Sequence, residues 1–152
     1  MWKSFIYCLL LIEYKNNSKN IYLYNILTSK HFIGTSPAVQ IEIQDDGIKI
    51  KLISDMKFIH SEYFPNYTNE QFLEYIYQTI YVVCKIWNQL IKLNYINKTE
   101  FPIKFYPQDY RDDVFAEREL KNTNEINYVE LFSSAFEITD EGKKFLDSLG
   151  QK

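Results

Sequence analysis

Four kinds of residue in this chain could do chemistry: two histidines, two cysteines, neighbouring carboxylates and a pair of Glu-x-Lys fragments. Histidine is the usual acid–base side chain near neutral pH, yet only His31 and His60 occur. His31 stands between Lys30 and Phe32, and His60 follows Phe58-Ile59, so neither sits in a metal-ligand or nucleophile motif and both read as structural or surface residues. Glu13-Tyr14-Lys15 and Glu141-Gly142-Lys143 match the fragment by which metal-dependent nucleases combine a cation-holding carboxylate with a lysine. Asp112-Asp113 could supply a further acid, but the usual arrangement places one on the strand before the fragment, and no acid precedes Glu13. Asp112, Asp113, Glu117 and Glu119 are also the acids a carboxylate-pair hydrolase would use, with nothing in their spacing to select that chemistry. P-loop, nucleophile-elbow, dinucleotide and zinc-protease motifs are missing, and with four glycines a phosphate-cradling loop is hard to build. Cys8 and Cys84 lie in apolar stretches with no disulfide or zinc spacing, which suits reduced core thiols in a cytosolic protein. The expectation is a protein without enzymatic activity, metal or cofactor.

Binding is the better use of the chain's polar residues. Phe105–Glu119 interleaves Tyr106, Tyr110 and Phe115 with Asp109, Arg111, Asp112, Asp113, Glu117, Arg118 and Glu119. Tyrosine and arginine supply the large, partly polar contacts that anchor interfaces, and acids steer a basic partner towards them. Charge is distributed to match: residues 1–99 carry net +2 and residues 100–152 net −5, within an overall −3. Tyr106, Asp109, Tyr110, Arg111, Asp112, Asp113, Glu117 and Glu119 are therefore the predicted partner-binding residues. The competing expectation is a solvated surface helix whose aromatics face their own core.

The elements that must position these residues are partly written in local patterns. Val39–Ile53, VQIEIQDDGIKIKLI, alternates apolar and polar on both sides of Asp-Gly and predicts a hairpin. A two-residue turn at Asp46-Gly47, with positive φ at both, would set Asp45 against Ile48, Ile43 against Ile50, Ile41 against Leu52, and Glu42 against Lys51. Thr68 and Gln71 form a capping box before a helix over about 69–93, with Phe72, Ile76, Ile80, Val83, Trp87 and Leu90 at helical spacing. Phe101–Pro107 reads as a short strand, Asp112–Lys121 as a short helix capped by Asp112, and Ile126–Phe132 as strand-like. Phe5–Ile12 reads as a buried first strand, with a buried short helix as the alternative, since eight apolar residues followed by Glu13 and no small-residue cleavage site make a poor signal peptide and too short a membrane span. Thr139 caps a final helix whose first turn carries Asp140 and Glu141, and Gly150 stands where it would stop. These signals predict one α+β domain over 1–152: an antiparallel sheet with the 39–53 hairpin on a long central helix, and a short C-terminal helix.

The order of strand, Ile138-Thr139, acid pair, Gly142, Lys143-Lys144 and Phe145-Leu146 resembles the end of winged-helix domains, over about 14 residues. A nucleic-acid-binding regulator is what that resemblance implies, but it requires a basic recognition helix just upstream. Asp109–Glu130 has seven acids and three bases, the wrong sign for reading a groove. Thirteen Tyr, eleven Phe and fifteen lysines to two arginines fit an AT-rich, low-GC genome, phage or mobile island. In profile the chain is similar to immunity proteins of bacterial toxins, antitoxins and phage-encoded inhibitors. The expected function is thus a cytoplasmic inhibitor that binds a basic protein, such as a nuclease toxin domain, in place of its phosphate substrate. Nucleic acid and membrane are not expected partners; the density of aromatics leaves homo-oligomerisation open.

Overall fold

A computed structural model describes residues 7, 10, 21–27, 39–53, 55–102 and 113–150. The labelled elements in chain order are α1 (Leu23–Leu27), β1 (Val39–Ile43), β2 (Gly47–Ile53), α2 (Asp55–Tyr63), α3 (Asn69–Lys92), β3 (Ile96–Pro102), β4 (Val114–Lys121), α4 (Tyr128–Ser133), β5 (Ser134–Ile138) and α5 (Asp140–Gly150). The class is α+β as expected, with two antiparallel sheets: β1-β2-β4 and β3-β5. Ile21 extends the second by a bridge to Phe136, on the side of β5 away from β3.

The hairpin forms with its apolar residues on one face, but its turn is centred one residue earlier than predicted. Ile43 faces Ile48, Ile41 faces Ile50, and Val39 faces Leu52, so Asp45-Asp46 is the loop and Gln44 N donates to Gly47 O at 2.8 Å. A shift of two in register keeps the same side chains inside, which is why the alternation alone did not distinguish the two turns. Among the described non-glycine residues only Asn94 has positive φ, so neither aspartate does. Gly47 has a different task. It pairs with Lys121 of β4, and a Cβ there would lie 2.2 Å from Leu120 O. The glycine lets a third strand approach rather than letting the chain turn.

Helix α3 is the packing centre. Thr68 Oγ1 accepts from Gln71 N at 3.1 Å while Gln71 Oε1 accepts from Thr68 N at 2.9 Å, the reciprocal capping box the sequence predicts. Phe72, Ile76, Ile80, Val83, Trp87 and Leu90 are all buried in a core shared with both sheets. The helix ends where Asn94 turns left-handed at φ 62°, with Asn94 N bonded to Ile91 O and Tyr95 N to Leu90 O. That pairing satisfies two of the helix's last carbonyls. Thr139 closes the corner: its backbone N donates to Tyr95 O, and its hydroxyl donates to Asn94 O while accepting from Gly142 N to cap α5.

Three local predictions are corrected. In the predicted helix Asp112–Lys121, Asp112 lies outside the described residues, and the described Val114–Lys121 is instead a strand pairing with β2 along its length. Its acids resemble a helix start, but Val114, Ala116, Arg118 and Leu120 alternate with Phe115, Glu117, Glu119 and Lys121, and the free edge of β2 selects the strand. Ile126–Phe132 is not strand-like; Tyr128–Ser133 is helical and the strand follows at Ser134. Buried Tyr128, Leu131 and Phe132 have helical spacing, and Asn127 Oδ1 caps Glu130 N. Within Phe5–Ile12, Tyr7 and Leu10 are described and both are helical, against the predicted strand; they pack on Phe145 and in the core. In the predicted strand Phe101–Pro107, residues 101 and 102 close β3 and the others lie outside the described residues.

Candidate functional site

Of the eight predicted partner-binding residues, Tyr106, Asp109, Tyr110, Arg111 and Asp112 lie outside the described residues. Asp113, Glu117 and Glu119 are described, and all three are exposed. Asp113 immediately precedes β4, which is an edge strand of its sheet, and Glu117 and Glu119 project from the strand's outward row. That row is not uniformly acidic. Glu117 stands 3.9 Å from Lys49 Nζ, Glu119 pairs with Lys49 in the register, and Lys51 reaches diagonally to Glu42 at 3.0 Å. At the hairpin end Lys121 lies 3.8 Å from Asp46. The outward face of β1-β2-β4 is therefore a mixed field in which β4 contributes the acids and β2 the lysines. Exposed pairs of this kind add little stability, but they fix where each charge is presented.

The opposite row of β4 holds Arg118, which the sequence left without a long-range partner. Its guanidinium bonds both oxygens of Glu74 on α3, Nη1 to Oε2 at 3.2 Å and Nη2 to Oε1, and Cζ lies 4.3 Å from the centre of the Tyr77 ring. The hydrogen bond from Arg118 holds the Glu74 carboxyl below its ordinary range. Burial raises Tyr77, against the opposing pull of Arg118, and the Tyr77 hydroxyl is buried with no partner among the described residues. Arg118 thus pins the edge strand to the first turns of α3 by a forked ion pair and a ring face.

Exposed aromatics collect nearby, where composition had signalled an excess of Tyr and Phe without a place. Phe58, Tyr63, Tyr67 and Phe115 are 59, 61, 40 and 38% exposed. Phe115 is the extra residue of a bulge between Leu52-Ile53 and Ala116-Val114, and Lys57 Nζ lies 5.3 Å over its ring. Bulges re-aim a side chain off the regular pleat. The α2–α3 connection is a tight turn, Tyr67 N to Phe64 O at 3.1 Å, with Pro65 at its favoured second position. It packs Phe64 edge-on or tilted against Tyr67, Phe72 and Tyr75 at 5.2 to 5.5 Å. His60 belongs to this frame: its ring lies parallel on Phe72 at 4.6 Å and Nε2 is 2.7 Å from Tyr67 O. The signal for this corner was present in YFPNYTNEQFLEY, as aromatics around Pro-Asn followed by a capping box.

The Glu-x-Lys fragment at Glu141 has a packing explanation. Glu141 stands 4.0 Å from Lys144, and Gly142 is buried where a Cβ would meet Tyr95 O at 2.1 Å. Glu13, Cys8 and His31 lie outside the described residues. Cys84 is fully buried in α3, and burial pushes its thiol far up. Among the described residues no three His, Cys, Asp or Glu side chains come together as a metal site would require, and no helix is long and apolar enough to cross a membrane. Set against known families, curated proteins and solved structures, the chain matches none of them.

Proposed function

We propose that the protein acts by binding: a non-catalytic inhibitor, immunity-protein or antitoxin-like, that occludes a basic protein partner. The observation that carries this is the edge strand β4, which carries exposed Glu117 and Glu119 on its outward row, with exposed Phe115 at its bulge and exposed Asp113 just before it. An exposed aromatic next to fixed carboxylates is the composition of an interface anchor with electrostatic steering. The carboxylates would take the place of substrate phosphates in the partner's cleft. Tyr106, Asp109, Tyr110, Arg111 and Asp112, which precede β4 in the sequence, belong to the same proposed set of partner-binding residues. Asp109–Glu130, with seven acids to three bases, has the wrong sign for phosphate, so nucleic acid is the weaker reading.

The test compares affinity capture from native lysate by the wild type and by Glu117→Lys with Glu119→Lys. A stoichiometric basic partner that elutes with salt and is lost with the variant is the expected result. A partner retained equally by both, or release of nucleic acid instead, would remove this function.

A further inference from the structure

As an edge strand, β4 has one side of its backbone turned away from its partner, and the register identifies the residues concerned. In an antiparallel pair, facing residues alternate between those that exchange both backbone bonds and those that exchange none. Asn122 N donates to Asp46 O at 2.7 Å, and these two residues continue the β2–β4 register one step beyond Lys121 and Gly47. The bonded pairs are therefore Leu120 with Ile48, Arg118 with Ile50 and Ala116 with Leu52. β2 agrees from its other side: Gly47 O accepts from Gln44 N, so its odd-numbered residues serve β1 and its even-numbered ones serve β4. The N–H and C=O of Glu117, Glu119 and Lys121 consequently point away from β2, where no strand of the sheet lies among the described residues. Glu117 and Glu119 thus offer an incoming strand backbone bonds at the edge and a carboxylate each on the exposed face.

Charge restricts what that edge can pair with. Antiparallel pairing of β4 with a second copy of itself, faces in line, sets like charges directly opposite in both registers that use most of the strand. One places Glu117 against Glu117; the other places Arg118 against Arg118 and Glu117 against Glu119. Like charges in facing positions are destabilising, so the strand is guarded against its own kind. A strand carrying bases meets no such clash, and the sheet already contains one. On the β2 side Lys49 faces Glu119 and Lys51 faces Glu117, and Lys49 Nζ stands 3.9 Å from Glu117. Because the same two carboxylates border the free edge, a strand with bases two residues apart would repeat there the pairing that β2 makes. The bulge at Phe115 ends the regular ladder, which confines the site to Glu117–Lys121.

We propose that β4 takes its basic partner by strand addition: an extended segment with basic residues in alternate positions lies antiparallel along Glu117–Lys121, and two of those residues face Glu117 and Glu119. Main-chain bonds hold the segment, and the two acids select it while excluding a second copy of β4. The inference rests on the function proposed above for a basic protein partner, and adds the form that the contact takes.

Amide exchange and titration of the labelled protein test it together. In the free protein the amides of Glu117, Glu119 and Lys121 should exchange quickly and those of Arg118, Leu120 and Asn122 slowly. A short blocked peptide of alternating lysine and valine should then slow exchange at Glu117 and Glu119. Two methylated forms of that peptide keep its charge and separate strand pairing from simple attraction. Methylating the lysine amides removes the donors that face β4, and should weaken binding at least about tenfold; methylating the valine amides, which point away from β4, should leave most of it. Glu117→Gln with Glu119→Gln should weaken the unmodified peptide roughly threefold to tenfold, and a glutamate–valine peptide should not bind. Glu117 and Glu119 amides already as slow as that of Arg118 in the free protein, no binding of the lysine peptide, or equal binding of its two methylated forms would overturn the assignment. Lysate capture lost on charge reversal at Glu117 and Glu119, with the methylated peptides bound equally, removes strand addition alone. Capture indifferent to that reversal removes the proposed function itself.

Discussion

Gly47→Ala should loosen the strand that carries Glu117 and Glu119, because the added methyl has no room. Its carbon would sit 2.2 Å from Leu120 O and 2.8 Å from Lys121 Cα, both backbone atoms, where real contacts of this kind stay above 3.0 Å. The two strands must therefore part by roughly 1 Å at that end, an overpacking that costs about 1–3 kcal/mol. Parting also strains the Asn122 N to Asp46 O bond beside it, 2.7 Å long in the native chain. Losing such a bond costs about 1 kcal/mol more. A total near 3 kcal/mol, with a urea dependence of about 2 kcal/mol per molar, moves the denaturation midpoint down by about 1.5 M. The corresponding fall in melting temperature is about 6–12 °C. Gly47→Asn separates this cause from the one expected of an Asp-Gly turn. Were glycine needed for a positive φ, asparagine would be tolerated better than alanine. Because the obstacle is the neighbouring strand, asparagine should cost at least as much. Amide exchange should quicken at Asn122 in both variants. A midpoint within about 0.3 M of wild type for the alanine variant, or recovery with asparagine, would refute the close-approach explanation.

Two further outcomes follow from the packing of α3. Thr68→Ala removes an N-cap whose hydroxyl accepts from Gln71 N, and should cost about 1 kcal/mol in urea denaturation, with Thr68→Ser close to wild type. Burial first, then Cys84 and Tyr81, pushes the Tyr128 hydroxyl up to about 12. The unfolded chain loses this proton near pH 10 while the folded chain keeps it, so stability falls as pH rises from about 10 to 12. Tyr128→Phe should reduce that fall in denaturation midpoints measured across the window; an identical slope would show that Tyr128 does not carry it.

The parts of the fold legible in the sequence are those whose signals are local. Thr68 with Gln71, Thr139 before Asp140-Glu141, and the alternation of Val39–Ile53 each state their element within a few residues. β4 was not legible, because its identity as a strand comes from β2, some seventy residues earlier, and its acids look locally like a helix start. Helix α4 was hidden by the opposite conflict: Tyr128, Val129 and Phe132 favour strand by type, while their contacts follow helical spacing. The candidate site divides in the same way. Exposure of Glu117 and Glu119 is what alternation in a strand would place there, but their pairing with Lys49 depends on register. The aromatic corner has a local signal in the aromatics around Pro65-Asn66, but the proximity of Tyr67 to Tyr75 depends on the bond that closes the Phe64–Tyr67 turn.

The route of the chain from β4 to β5 has a consequence for how the molecule comes apart. β4 completes the first sheet, β5 completes the second, and the six residues Asn122–Asn127 with α4 are all that separates them. Asn122 binds back to the hairpin through Asp46 and forward to Tyr128 and Val129 of α4, and Asn88 of α3 grips Glu125 between them. Peeling either sheet open therefore strains the short span that anchors the other. Subglobal opening of one sheet with the other intact is suppressed, and the slowest-exchanging amides of both should share a single opening free energy, that of the whole domain.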